Sequence, residues 1–437
     1  MRLARVLSLG IDSMLNTTHV SADKIGAAHG AICWRVLSRV FAVTSFLIFA
    51  GFSRAADPSV EAVTQPSGLS PLDTVADFVK PTPRVELFTS FHAGFDDNFR
   101  TTNNSKGAWF TNEQVTLSYQ LPSRDIQLAL DAGAGFLAYP GERSNANGFL
   151  NLVFGHAFSH RLTLSASINA SYQSEPNFAQ NVGPNQFRGN YFSTNDNIAL
   201  SYALAPRLSL VSTYSLRLVR YENEATALFT DRQTHGFGEQ LRFAFTRTTV
   251  LTGEYRLLLV DYVTAPFDST THFFLTGVEQ QFSRNLSAQL RAGASIRLPS
   301  FGDTQTNPDF EWALNYTHGR DLLSWTGSYS VEEGTDRLIQ DRTTFRTGLL
   351  YTRTLSARLR ASLAFYYHHD NNQQVIPPFL IGPSFSEDTL DVTAGLHYVV
   401  NARFGVDGSI SHSQILSAMS NRDYSRNRYS IGMTYRF

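Results

Sequence analysis

Residues 424–437 read YSRNRYSIGMTYRF. From Tyr429 onward every second side chain is large and apolar or aromatic (Tyr429, Ile431, Met433, Tyr435, Phe437), and between them stand Ser430, Gly432, Thr434 and Arg436. Extended backbone sends successive side chains to opposite faces, so this is a strand with one greasy face and one wet face. A soluble protein would lay the greasy face on a core. Here the same alternation runs through the chain from Arg84 onward, with no helix pattern to cover it. An ordinary C-terminal edge strand does not explain that repetition. A closed β-barrel whose apolar side faces lipid does, because it leaves no backbone group unpaired in the bilayer.

Working back from the terminus, short connections resemble one another: LPSRDIQL at 121–128, FSHRLTL at 158–164, LAPRLSL at 204–210, FTRTTVL at 245–251, FSRNLSA at 282–288, THGRDLL at 317–323, LSARL at 355–359 and VNARFGV at 400–406. In each, an apolar residue ends a strand, small or turn-forming residues follow, an Arg appears and apolar alternation restarts. This is a weak internal repeat of a hairpin unit. Between these turns lie longer connections at 98–107, 140–146, 175–189, 222–235, 263–269, 300–307, 334–340, 371–385 and 415–423, rich in the Asn, Asp, Gly, Pro and Ser of exposed loops. Eight short turns and nine long loops predict an all-β, antiparallel up-and-down transmembrane barrel of about 18 strands over 84–437. That allows about 20 residues per strand and connection, of which roughly 10 cross the membrane. An even count puts both termini at the short-turn side.

Individual strands assign the faces. Leu128, Leu130, Ala132, Ala134 and Phe136 alternate with Gln127, Asp131, Gly133 and Gly135, and Leu162, Leu164, Ala166, Ile168 and Ala170 alternate with Thr163, Ser165, Ser167 and Asn169. Leu286, Ala288, Leu290 and Ala292 alternate with Ser287, Gln289 and Arg291. The inner face is therefore small and polar. Tyr119, Tyr202, Trp312, Trp325, Tyr329, Tyr351 and Tyr398 fall towards strand ends on the outer face, as interfacial girdles require.

No run reaches the roughly 18 to 20 apolar residues of a spanning helix. The segment at 40–51, VFAVTSFLIFAG, follows Arg35 and Arg39 and precedes Ser53-Arg54-Ala55-Ala56, the layout of a secretory signal cut after Ala55 or Ala56. Residues 1–56 are expected to be this signal peptide, with a start that is over-extended. Residues 57–83, holding Pro58, Pro66, Pro71, Pro81 and Pro83, are expected to be a periplasmic linker. The single cysteine, Cys33, precedes the apolar run, which excludes disulfide scaffolds, thiolate metal sites and cysteine nucleophiles from the mature chain. Removing residues 1–56 takes six of the 36 basic and two of the 37 acidic residues, leaving a net charge of −5 that points to no nucleic-acid partner.

Projected inward, the alternation supplies candidate pore-lining charges of both signs: Glu86, Asp96, Asp131, Glu279 and Asp391 against Arg217, Arg256, Arg291, Arg297, Arg346, Arg358 and Arg360. Two readings stand. The charges filter solutes by size and by a field across the lumen, or they pair between neighbouring strands, Arg256 with Glu279 for example, and keep the wall satisfied. His368 and His369, next to Asp370, cannot share a metal without a bend, because neighbours in a strand point to opposite faces. They are expected to be solvated loop histidines. No G-x-S-x-G, H-E-x-x-H, P-loop or dinucleotide fingerprint occurs, so no catalytic residue, metal or cofactor is assigned and enzyme activity is not expected.

Two resemblances add to this. A last strand of alternating aromatics ending in Phe437 looks like the signal by which bacterial outer-membrane barrels are handed to the barrel-assembly machinery. The first strand continues into Phe95-Asp96-Asp97-Asn98, which resembles the aromatic-Asp-Asp-Asn segment opening the putative β-barrel porin 2 family. The resemblance implies an outer-membrane barrel in contact with lipid, and some members of that family accompany exopolysaccharide production and export. The expected function is passive diffusion of small hydrophilic solutes across the outer membrane. The alternative is a barrel component of an exopolysaccharide export system, with exported polysaccharide as partner.

Overall fold

The computed structural model describes residues 84–437 except 105, 123–125, 142–143, 175–188, 301, 335–338, 377–379 and 420. The expected signal peptide and linker lie outside the described residues. The strands are β1 (Arg84–Asp96), β2 (Ala108–Pro122), β3 (Ile126–Ala138), β4 (Asn145–Ala157), β5 (Leu162–Gln173) and β6 (Tyr191–Ala205), then β7 (Leu208–Tyr221), β8 (Arg232–Ala244) and β9 (Thr249–Tyr262). They continue as β10 (Ser269–Ser283), β11 (Leu286–Pro299), β12 (Gln305–His318), β13 (Asp321–Glu333), β14 (Ile339–Thr354), β15 (Leu359–Ile376), β16 (Leu380–Val399), β17 (Phe404–Ser417) and β18 (Tyr424–Arg436). One short helix, α1 (Glu224–Thr230), stands between β7 and β8, capped by the Asn223 side chain, which accepts the Thr226 N–H at 3.2 Å.

Every strand pairs antiparallel with its sequence neighbours, and β1 pairs with β18 to close an 18-stranded barrel. Closure is in phase: Phe91 faces Met433 and Phe95 faces Tyr429, outer side against outer side. Followed round the barrel, the register keeps Leu128, Leu164, Leu290 and Ile431 outside and Gln127, Thr163, Gln289 and Ser430 inside. Ile431 is 66% exposed and Leu290 51%, apolar surface that water would not tolerate and lipid does.

The short turns explain their own sequence repeat. Ser159 Oγ accepts the N–H groups of Arg161 (3.2 Å) and Leu162 (3.1 Å), and Ser356 Oγ does the same for Arg358 (3.3 Å) and Leu359 (3.1 Å). Asn401 Oδ1 accepts from Arg403 (2.9 Å) and Phe404 (3.0 Å). A Ser or Asn two residues before the Arg is thus a side-chain-stabilised turn. In the turn 317–323, Gly319 takes the left-handed backbone (φ 57°) that a side chain would strain.

The other end departs from expectation. The stretch 371–385, read as a loop, is mostly the continuation of β15 and β16, which reach 18 and 20 residues. β12 likewise starts at Gln305, β14 at Ile339 and β8 at Arg232, inside segments read as connections. Beyond the bilayer a strand can be polar on both faces, so the alternation that reveals it within the membrane vanishes. The wall is also uneven here: β12 pairs with β13 only from Phe310–Tyr329 to His318–Asp321, leaving 305–309 and 330–333 unjoined. Pro308, which has no N–H to donate, lies in that stretch.

Candidate functional site

The register divides the inner wall into two unlike arcs. On β3 to β6 most inward side chains are small and neutral, including Ser165, Ser167 and Asn169 of β5 and Asn195 and Asn197 of β6, with Leu137, Phe149, Val153 and Tyr191 the bulkier members and Asp131 the charged one, and β2 beside them likewise turns no charge inward. Asp131 faces Ser118 and Asn151 in the ladders. On β7 to β18 and β1 the inner face is a lattice of ion pairs.

Its centre is a square on β9, β11 and β12. Arg256 donates to Glu254 (2.7 Å) and Glu311 (3.0 Å), and Arg291 lies 3.3 Å from both the same carboxylates. Glu279 is held by Arg242 of β8, so the Arg256–Glu279 pair expected from neighbouring strands is replaced by two pairs that skip strands. The inner side of a curved wall converges its side chains, and long guanidinium arms reach past the adjacent strand. Towards the long-loop end, Arg297 meets Glu333 (3.2 Å) and Asp341 (3.7 Å) while only 1% exposed. Arg342 bridges Glu332 (3.6 Å) and Asp370 (3.1 Å), and Arg346 binds Glu332 and donates through Nε to Ser328 (2.9 Å). Arg217 of β7 points inward opposite Asn195 and Thr234 in the ladders, and Arg232 of β8 is buried and donates through Nη1 to the Thr230 carbonyl (3.3 Å). His368 is buried on this inner face and His369 points outward to Asp388 (2.8 Å), so neither is a loop histidine. Desolvation offsets much of the attraction in buried ion pairs of this kind, so their net contribution to stability is small.

The closing seam has its own clasp, built from the Phe95–Asn98 segment. Asp96, fully buried, accepts from Arg426 Nη2 (2.5 Å) and Nε (3.0 and 3.1 Å) and from the Tyr139 hydroxyl (2.9 Å). Arg428 lies 3.6 Å from the same carboxylate and over the Phe110 ring, 4.6 Å from its centre. Asp97 accepts the backbone and side-chain N–H of Asn427, both at 2.6 Å, and Asn98 Nδ2 donates to the Ser425 carbonyl (3.0 Å). Gly94 keeps this corner open, because a Cβ there would stand 2.1 Å from the Tyr429 carbonyl oxygen and 2.6 Å from the Phe110 ring.

Of the remaining candidates, Glu86 lies 3.5 Å from Arg436 near the short-turn end, and Asp391 accepts the Ser413 hydroxyl (2.6 Å). Arg360 projects inward beside His397 at the start of β15. Arg358 is a correction: it is an exposed turn residue outside the strand, the counterpart of Arg161 and Arg403 in the repeated turns. The Ser-x-Arg spacing carried that signal. Sequence reading missed Glu332, Arg342, Arg426, Arg428 and the inward role of Asp370; the alternation Ser328, Ser330, Glu332 would have supplied the first. Tyr429, Ile431, Met433, Tyr435 and Phe437 all lie on the outer face or terminal edge of β18, with the Phe437 N–H donated to the Leu87 carbonyl (3.0 Å).

Residues 328–437 match the family described as Putative beta-barrel porin 2, the family that the Phe95–Asn98 segment resembles. No curated protein matches the chain in sequence. Among solved structures, OpdK of Pseudomonas aeruginosa with vanillate is similar at 10% identity and TM-score 0.43, covering 81% of this chain and 99% of its own. OccAB4 of Acinetobacter baumannii is similar at 12% identity and TM-score 0.40, over 81% and 98%. The siderophore receptor PirA from Acinetobacter baumannii is similar at 8% identity and TM-score 0.41, over 82% and 81%.

Proposed function

We propose that this 18-stranded barrel, porin-like in fold, is a passive channel of the bacterial outer membrane for small, uncharged hydrophilic solutes. The observation that carries this reading is the neutral arc. On β3 to β6 most inward side chains are too short to reach across the lumen and too polar to exclude water, which supports assigning the water path to this side. The opposite arc carries many charges, but most are neutralised in pairs and leave little field to attract or repel a solute. The short turns face the periplasm and the long-loop end faces outward, the ordinary arrangement of such barrels.

The test is single-channel recording in planar bilayers. The parent should conduct, and neutral sugars of graded size should reduce its conductance up to a size cut-off. Ser167→Trp together with Asn151→Trp, inward on adjacent strands, should lower the conductance several-fold, while the outward Ile168→Trp should leave it unchanged. A parent that never conducts, or an inward pair without effect, would refute the proposal.

A further inference from the structure

Above the Phe310–Tyr329 pair, where β12 and β13 part, the wall holds a cleft of about 290 Å³. That is close to the ~300 Å³ lower bound of ligand-sized clefts. Thr306 and Asn307 of β12, Thr343 of β14, Asn371 and Gln373 of β15 and Ser384 of β16 line it. Thr306 and Asn307 are sequence neighbours in a strand and so point to opposite faces, yet both border the cleft: it cuts through the edge of the sheet.

The chemistry of this lining is narrow. Each of these six side chains is an amide or a hydroxyl, able both to donate and to accept. The cleft's one charge, Asp341, is already engaged by Gln305 Nε2 at 3.3 Å and Arg297 Nε at 3.7 Å. Asn307 Nδ2 is buried without an acceptor among the described residues, so its donor is unspent. Among the described residues no aromatic or aliphatic side chain lines the cleft, which argues against a lipid tail or an apolar peptide anchor. With no uncommitted charge among the described lining residues, that lining suits neither an anion nor a cation. The complement of neutral groups that donate and accept together is a ligand whose own groups do the same at close spacing.

We propose that this cleft binds a neutral oligosaccharide at the outer rim of the barrel. The site stands apart from the water path along β3 to β6 and does not depend on conduction. Without an aromatic platform for a sugar face, the affinity is about millimolar. A free oligosaccharide and the sugar headgroup of an outer-leaflet glycolipid present the same chemistry.

The experiment uses the full-length barrel in nanodiscs of plain phospholipid, with saturation-transfer NMR of maltohexaose and cellohexaose and with oligogalacturonate as the charged control. At least one neutral hexamer should bind in the millimolar range, and oligogalacturonate should bind more weakly. Asn307→Leu with Asn371→Leu should weaken binding at least about tenfold. Should that variant fail to give a heat-modifiable band, Thr343→Val with Ser384→Ala, which alters only two hydroxyls, should still weaken it measurably. Nanodiscs containing lipopolysaccharide separate the sources. Loss of hexamer binding there assigns the cleft to a membrane glycolipid, and unchanged binding assigns it to a free saccharide. Absence of neutral binding, preference for the charged oligomer, or equal binding by a folded variant would overturn the proposal.

Discussion

Replacing Asp96 by Ala removes the carboxylate on which the seam clasp converges. Asp96 has no exposure, and its partner Arg426 has 6%. The substitution therefore takes away the carboxylate to which the buried guanidinium donates through Nε and Nη2, and leaves its contact to the Tyr139 hydroxyl (3.3 Å) in place. Removing one partner of a buried pair costs about 3–5 kcal/mol. At 1.4 kcal/mol per factor of ten, the folded-to-unfolded ratio should fall by roughly two to three and a half powers of ten. Removing both charges with Asp96→Leu and Arg426→Met should recover a large part, because the buried guanidinium goes with its carboxylate and Arg428, 26% exposed, still reaches water. Urea unfolding of the barrel in lipid vesicles is the assay, read by fluorescence of Trp109, whose ring lies 5.4 Å from that of Phe95 beside the clasp. A heat-modifiability gel counts closed barrels independently. A loss below about 1 kcal/mol for Asp96→Ala, or a double variant no better than the single one, would refute the reasoning.

Three further outcomes follow from the wall. Leu290→Arg, on the lipid face, should cost about 2–4 kcal/mol while Gln289→Arg costs much less, and equal sensitivity in vesicle unfolding would invert the assigned faces. A protease-cleavable tag within 175–189 should be cut on intact cells and one at Ala205-Pro206-Arg207 only after the outer membrane is broken; the reverse pattern would turn the barrel over. Deleting Phe437 should leave unfolded, protease-sensitive chain in the periplasm, and normal amounts of heat-modifiable band would remove the terminal aromatic from the assembly signal.

The faces of the strands were legible because lipid imposes a period of two: Ile126 to Phe136, Leu162 to Tyr172 and Leu286 to Ile296 could be read without any knowledge of their neighbours. Past the bilayer that constraint ends, which is why β15 and β16 looked like a loop. The strand-skipping pairs were not legible. Sequence alternation says that Arg256 points inward but not that curvature brings Glu311 nearer to it than Glu279. Arg358 failed for a simpler reason, since its place in the Ser-x-Arg turn competed with its place in an extrapolated alternation and the turn hydrogen bonds won. The Phe95–Asn98 segment was noticed as a motif, but its joining of two strands 330 residues apart depends on closure, which no local pattern contains.

The division of the wall into a cross-linked and an unlinked arc has a mechanical consequence. A ring braced along most of its circumference yields where the bracing stops, so thermal distortion of the cross-section concentrates on β3 to β6. Their backbone amides should therefore exchange with deuterium before those of the braced strands in the membrane-embedded wall, the lumen deforming as an ellipse with a stiff side and a soft side. On the proposed channel reading, a solute moving along the soft side would meet a wall that can give way, and electrical noise during passage would report the compliance of those strands.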